Sequence, residues 1–395
     1  MIRCIKCKQV DAITKSGNVR GKQRYYCKRC QLYFTLDSIK IKTPNKTSGR
    51  HQATIIDIAR QLNVSKSTVS RALRGSSEIN IETKNAVLKV AKELNYVPNH
   101  LASSLVKKRS YTIGIIVPEF VGNYFPQFII AAQEVANEAG YSVLICQSNE
   151  TFTSEAENSK LLFANQVDGV LISISRETKN LDHLKMFEQA GIPVILFNRV
   201  IIKNHFLKVV VDDYEGAFKG VEHLIQNGYK RIGHIAGPEN LYISDNRFHG
   251  YIAALKKHHL RVDEKLIVRH DLSPEGAKWA ALKLLSLLKP PDAVFTVNDP
   301  AAIELIILAR QKGIAVPQEL GVVGFSNDAR SEIISPGLTT LAHPINDLAK
   351  TAVGLLLKRL DEVSHPKKQK LVTALKTSLI VRESSVRNID WALPS

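Results

Sequence analysis

Residues 54–74 run TIIDIARQLNVSKSTVSRALR, and the spacing of their apolar positions decides the architecture of the front of the chain. Ile55, Ile58, Ala59 and Leu62 recur at helical intervals behind Thr54, a residue suited to cap a helix N-terminus. The pattern breaks at Asn63-Val64. Ser65 then opens a second short helix that turns Val69, Ala72 and Leu73 inward and leaves Lys66, Ser67, Thr68, Ser70 and Arg71 outward or at its start. Two helices joined this way form a helix-turn-helix, whose second helix enters the DNA major groove N-terminus first. Side chains near its start reach base edges, while hydroxyls and guanidinium groups around it hold phosphates. Lys66 and Ser67 are the expected base readers. A third helix from Asn80, with Val87, Val90, Ala91 and Leu94 as its buried stripe, completes a three-helix head. Periodicity alone also fits plain packing of short helices.

Net charge is concentrated at the same end of the chain. Residues 1–110 hold 23 Lys+Arg against 6 Asp+Glu, the whole of the chain's net +17, and the rest of the 395 residues are balanced. A basic segment on a neutral globular body is the footprint of a nucleic-acid-binding head. With 44% hydrophobic residues the chain is long enough for two or three packed domains. No apolar run reaches the roughly 18 residues of a membrane span, and the N-terminus carries charges where a signal peptide has its apolar core. A cytoplasmic location is expected.

Upstream, Cys4 and Cys7 form one C-x-x-C, and Cys27 and Cys30, within RYYCKRCQLYF, form another. This spacing is that of a four-thiolate structural zinc site. In a reducing compartment the pairs favour a metal over disulfides, and Cys146, in YSVLICQ, is expected to be a core residue. Arg20, Lys22, Arg24, Lys28 and Arg29, with Tyr25, Tyr26, Tyr33 and Phe34, suit additional DNA contact. A basic ribbon that serves protein contact, or merely folds, is the alternative.

TIIDIARQLNVSKSTVSRALRGSSEI, followed by TKNAVLKVAKELNYVPNHLASSL, resembles the DNA-binding head of the lactose-repressor (LacI/GalR) family along nearly its whole length. The resemblance implies a hinge helix after the head and an effector-binding core that dimerises. It places Thr54, Ser65, Thr68, Ser70, Arg71, Asn80, Thr83 and Asn99 on backbone-contacting positions and Lys66 and Ser67 on the base-reading pair. Arg74 stands where the family often has Asn, and a phosphate contact is expected there. Within NHLASSL, the family pattern has Leu101 pack against its dimer mate and Leu105 wedge between base pairs in the minor groove. NVRGKQRYYCKRCQLYF is similar to the small zinc ribbons of insertion-element transposase proteins, an unusual addition to this family.

From Tyr111 onward, short apolar strands alternate with amphipathic helices, the pattern of parallel sheets built from βαβ units. Nine candidate strands, YTIGIIV, YSVLICQ, DGVLISI, IPVILFN, KVVVDD, RIGHIAG, KLIVRH, DAVFTVN and LGVVGFS, exceed one sheet of comfortable size. The expected fold is a two-lobed, periplasmic-binding-protein-like α/β core preceded by an all-α helix-turn-helix head and a small zinc ribbon. By the family pattern, helix 345–361 returns to the first lobe and LKTSLIVRES ends in the second. The expected division is ribbon 1–36, flexible linker 37–52, head 53–98, hinge and linker 99–110, and core 111–388.

Ligands of open α/β sheets bind beyond the carboxyl ends of strands. Asn123, Tyr124, Phe125, Asn198, Arg199, Asn298, Asp299, Ser326 and Asn327 fall there, with Arg247 expected at the start of the RFHGY helix, a set suited to hydroxyl-rich molecules. Asp299 as a helix cap, Asn123 as a turn residue and Arg247 as a surface ion pair are their structural alternatives. Asn198 and Ser326 stand where the family often has Asp, which leaves Arg199 and Arg247 free to meet an anionic group of a sugar-like effector. The expectation is therefore a transcription regulator, a repressor by its likeness, that acts as a homodimer on a pseudo-palindromic operator under control of a small carbohydrate. A transposition-associated DNA-binding protein and a sugar-binding protein without regulatory role are the rivals. No dinucleotide, P-loop or nucleophile-elbow motif supports an enzyme.

Overall fold

The computed structural model describes residues 2–4, 6–7, 9–19, 22–35, 53–96, 109–120, 122–361 and 371–387. The expected linker 37–52 and the hinge residues Asn99, Leu101 and Leu105 lie outside the described residues. The chain divides into two compact units, 1–99 and 100–395.

The first unit begins with an antiparallel sheet of β1 (Ile13–Val19), β2 (Lys22–Cys27) and β3 (Leu32–Thr35), in that order. Cys4, Tyr25, Cys27 and Phe34 form its small buried cluster. Three helices follow, α1 (Ile55–Leu62), α2 (Lys66–Leu73) and α3 (Ile81–Glu93). Asn63 ends α1 in the left-handed region at φ 53°, a conformation Asn tolerates well, and turns the chain into α2. Ile58, Ala59, Val69, Ala72, Val87, Val90 and Ala91 are buried against one another, with Ile55, Leu62, Leu73 and Leu94 packed around them.

All nine strands expected in the second unit form, and six of its strands build each of two sheets. The first lobe's sheet runs β14-β8-β7-β6-β4-β5 and is wholly parallel. Its strands are β4 (Thr112–Val117), β5 (Ser142–Gln147), β6 (Gly169–Ile172), β7 (Val194–Phe197), β8 (Leu207–Val211) and β14 (Val372–Leu375). The second runs β10-β9-β11-β12-β13-β15, with β9 (Ile232–Ala236), β10 (Ile267–Arg269), β11 (Ala293–Thr296), β12 (Gly321–Ser326), β13 (Thr339–Ala342) and β15 (Ser378–Ile380). Only β15 is antiparallel to its neighbour. Burial on both faces explains why these strands read as continuous apolar runs. β13, TTLA, was masked by its threonines, and β14 and β15 are too short to give a period.

The chain crosses between lobes three times: from β8 to α7 (Asp213–Gln226), from β13 to α12 (Ile345–Asp361), and from β14 to β15. α12 packs on the first lobe against α4 (Tyr124–Glu138), and β15 lies in the second, as the resemblance implied. The Ser110 and Tyr111 amides donate to the Asp168 carboxylate at 2.8 Å each, and Arg109 donates to the Leu360 carbonyl at 2.6 Å. Cys146 is buried, and burial pushes its thiol up. Among the described residues no helix is long and apolar enough to cross a membrane.

Candidate DNA-reading head and effector cleft

Each helix of the head is capped by a residue that the sequence singled out. The Thr54 amide and hydroxyl donate to Asp57 Oδ2 at 2.9 and 2.7 Å. Ser65 accepts the Thr68 amide at 3.0 Å, and Asn80 accepts the Thr83 amide at 2.7 Å. Lys66 and Ser67 occupy the first two positions of α2 and are exposed, although the Ser67 hydroxyl lies 2.7 Å from that of Ser65. Arg71 pairs with Glu78 at 2.9 Å on the surface, and Arg74, at the end of α2, donates to the Ser70 carbonyl and hydroxyl. Exposed pairs of this kind are worth at most about 1 kcal/mol, so a phosphate can displace them.

The four paired cysteines converge. Their sulfurs all lie within 4.8 Å of one another, with Cys7 and Cys27 at 3.7 Å. Four sulfurs about 2.3 Å from one tetrahedral ion are separated by roughly 3.8 Å, whereas a disulfide needs about 2.05 Å. The Cys7 amide, more than any other group, draws the Cys4 thiol down to about 6, and hydrogen bonding with Cys7 and then burial push Cys30 up to about 12. Four thiolates this close together repel one another unless a cation joins them, which is the chemistry of a thiolate metal site. The cluster can hold a metal ion.

In the second unit a cleft of about 720 Å³, counting space open to solvent, lies between the lobes at the carboxyl ends of β4, β7, β11, β12 and β13. Nine of the ten expected residues line it: Asn123, Tyr124, Phe125, Asn198, Arg199, Arg247, Asn298, Ser326 and Asn327. Asp299 does not. It is fully buried at the start of α10 (Asp299–Gln311), where its carboxylate accepts from Thr340 Oγ1 (2.6 Å), Ser331 Oγ (2.8 Å) and the Asp328 amide (2.7 Å). The cap of α10 is Asn298, whose side chain accepts the Ala301 amide. Arg247 stands in the second turn of α8 (Tyr242–Lys257) rather than at a helix start, and it is buried.

The charge expectation is also corrected. Arg199 meets the Glu150 carboxylate at 2.6 and 2.8 Å, and Arg247 meets Asp213 Oδ1 at 2.8 and 2.7 Å. Neither guanidinium is left free for an anion. Burial nonetheless outweighs Arg247 and holds the Asp213 carboxyl up at about 6. Arg247 also lies 3.7 Å over the ring of Phe325. Asn198 (φ 56°), Ser326 (φ 118°) and Asn327 (φ 53°) all occupy positive φ, and for Ser326 this is strained backbone of the kind that collects at ligand sites.

Several polar atoms around the cleft are buried without a hydrogen-bond partner among the described residues: Tyr124 Oη, Arg199 Nε, Asp213 Oδ2 and His343 Nδ1. Leaving such an atom unsatisfied costs about 1–3 kcal/mol, so four together mark a surface built for polar contact. Burial keeps His343 neutral, its pKa far below the ordinary range, with its ring edge-on to Tyr124 at 4.9 Å. Glu119, Gln127, Asp328 and His343 line the cleft but were missed. The strand-end rule reaches Glu119 and Asp328, and Gln127 lies one helical turn beyond Asn123. His343 follows the unrecognised β13, and Glu150 and Asp213 had no local signal.

Two lobes around a polar cleft, in a chain that also carries a helix-turn-helix, define a ligand-responsive DNA-binding protein. Residues 54–99 match the family model described as bacterial regulatory proteins, lacI family, and residues 221–385 match the periplasmic binding protein-like domain. The HTH-type transcriptional repressor PurR of Actinobacillus pleuropneumoniae serotype 3 (strain JL03) is 30% identical over 338 residues, 86% of this chain and 99% of that protein. CytR, an HTH-type transcriptional repressor of Escherichia coli (strain K12), is 33% identical over 309 residues, 78% of this chain and 90% of that one. The solved transcriptional regulator CelR–cellobiose complex is similar with a TM-score of 0.64 at 26% identity, covering 84% of this chain and 100% of that one. The lac repressor dimer bound to operator and the anti-inducer ONPF matches in fold, with a TM-score of 0.74 at 24% identity over 85% of this chain and 100% of that one. The chain belongs to the LacI family of bacterial transcription regulators, and it binds DNA to regulate transcription. Its cysteine-bearing segment precedes the family match.

Proposed function

We propose that the chain is a cytoplasmic homodimeric repressor with a structural zinc ion on Cys4, Cys7, Cys27 and Cys30. In this reading it recognises a pseudo-palindromic operator through Lys66 and Ser67 of each α2. Thr54, Ser65, Thr68, Ser70, Arg71, Arg74, Asn80, Thr83 and Asn99 hold the DNA backbone, and Leu101 and Leu105 serve the hinge. The effector is a neutral, hydroxyl-rich, sugar-like molecule held between the lobes. The observation that carries this is a cleft lined by Tyr124, His343 and four asparagines whose two arginines are already neutralised. Hydroxyls can both donate and accept, so they match a mixed set of phenol, imidazole and carboxamide groups.

Coupling between effector and lobes has a structural route. Glu150, which grips cleft-lining Arg199, also accepts the Arg176 amide at 3.0 Å. From the first lobe Arg176 donates to the Asp271 carbonyl (2.9 Å), and its own carbonyl accepts from Asn240 (2.7 Å), both in the second. A ligand that pulls on Arg199 therefore acts on a bridge between lobes, and the lobe arrangement biases the DNA grip.

Thermal stabilisation of the full-length protein by a panel of neutral sugars and nucleosides beside sugar acids and sugar phosphates tests the effector class. A neutral member is expected to raise the melting temperature by several degrees. Stabilisation confined to the anionic members overturns the reading. On DNA, Ser67→Ala is expected to relax sequence preference at one position per half-site by about 1–3 kcal/mol. Glu78→Gln, which releases Arg71, is expected to tighten binding to all sequences alike. Both are read in competition binding against point-varied duplexes.

A further inference from the structure

The ribbon sheet has two unlike faces. Pairing sets Tyr25 opposite Phe34, and these with Cys27 form the buried side. Tyr26 pairs with Tyr33 on the other side, one residue out of phase. Their rings lie 4.5 Å apart at 40°, and the Arg24 guanidinium sits 4.1 Å over the Tyr33 ring. Tyr33 is 48% exposed. This stack adds nothing to the core, which the opposite face supplies, and large exposed aromatics beside cations are a recognition surface.

Charge identifies the occupant. Residues 1–35 contain nine Lys+Arg and one Asp, a balance of +8, whereas residues 53–99, which include the reading helix, contain seven against four, a balance of +3. A divalent ion on four thiolates subtracts two charges and still leaves the ribbon at +6. The smaller element is thus the more cationic, although it is not the one that reads bases. Residues 35 and 53 can be at most about 60 Å apart along an extended chain, against about 34–36 Å per turn of DNA. Once the head holds a duplex, the tethered ribbon meets its flanks at an effective concentration in the millimolar range, so weak phosphate contacts suffice.

From this we infer that the Arg24–Tyr26–Tyr33 face of the ribbon is a second DNA-binding surface, which grips duplex phosphates flanking the site read by α2. The inference rests on the operator reading. It deepens that reading by lengthening the contacted DNA without adding base specificity, because phosphate contacts carry no sequence information. Arg24 reaches phosphates, and the two rings lie against the sugar-phosphate edge.

The test uses zinc-loaded full-length protein and a site selected by it from a random duplex pool. Binding is compared between a duplex of about 22 bp carrying only the site and one extended by about 20 bp on each side, over a series of salt concentrations. The wild type is expected to bind the long duplex roughly tenfold more tightly at low salt and with a steeper salt dependence, each phosphate contact adding about 0.9 to the slope. R24A/Y33A, its bound zinc confirmed, is expected to lose most of the gain while its affinity for the short duplex stays within about twofold; K28A, on the exposed turn beside this face, is expected to lose part. Equal wild-type affinity for the two lengths overturns the inference, as does full retention of the gain by zinc-bound R24A/Y33A, an outcome that would assign the face to a protein partner. Failure to select any site overturns the operator reading itself.

Discussion

Stripping zinc from the full-length protein with a strong chelator is expected to unfold β1–β3 and leave α1–α3 and the two-lobed core intact. The reason is the size of the ribbon's interior. Among its described residues only Cys4, Tyr25, Cys27 and Phe34 are buried, and two of those four are the proposed ligands. Two aromatic side chains cannot offset the ordering of some thirty residues, and four-thiolate zinc binding supplies on the order of 10 kcal/mol instead. Cys27→Ser, which replaces a fully buried sulfur, is expected to do the same without chelator. Hydrogen exchange reads the outcome: amides of β1–β3 lose protection while those of the three helices keep theirs. A ribbon that stays protected after metal removal refutes the structural-zinc reading.

The second large effect is expected in the cleft wall. Arg247→Met removes the partner of Asp213, a carboxylate with 1% side-chain exposure, and so leaves an uncompensated charge in the interior. Breaking a buried pair from one side costs about 3–5 kcal/mol. The loss depends on pH in a defined direction. Asp213 already titrates at about 6 in the fold rather than at its ordinary 3.8, because burial dominates. A carboxyl raised in this way stabilises the fold when protonated, and that contribution is full below about pH 4 and lost as pH rises through about 6. Without the guanidinium the folded value climbs further. Arg247→Met is therefore expected to be mild near pH 4–5 and to reach its full cost near pH 8, measured by urea unfolding of the core. The double variant with Asp213→Asn is expected to recover most of the stability at pH 8 and none of the effector binding. An equal loss at both pH values would mean that packing against Phe325, rather than the charge, is what Arg247 supplies.

Much of the molecule is written in local patterns. Thr54, Ser65 and Asn80 cap the three helices of the head, and Asn63 ends the first, because capping and left-handed turns depend on a residue and its neighbours within a few positions. The nine apolar strands of the core are legible for the same reason, and the C-x-x-C pairs advertise their convergence through spacing. Strand ends carried eight cleft residues into view, and the rule failed at Asp299. Its local signal matches that of Asn298, yet its side chain turns inward to Thr340 and Ser331, 41 and 32 residues away.

Local sequence by itself determined the helices of the head, nine core strands, the cysteine cluster, the placement of the chain's cationic excess and most of the strand ends at which the cleft forms. Tertiary structure decided the character of that cleft. Arg199 and Arg247 read as free cations until folding sets Glu150 and Asp213 against them, across separations of 49 and 34 residues. It also decided which ribbon aromatics are core and which are surface, because strand pairing assigns Tyr25 inward and Tyr26 outward. Periodicity and capping act within one turn or one strand, whereas Coulomb interaction and desolvation depend on distance in space, which only the folded chain specifies.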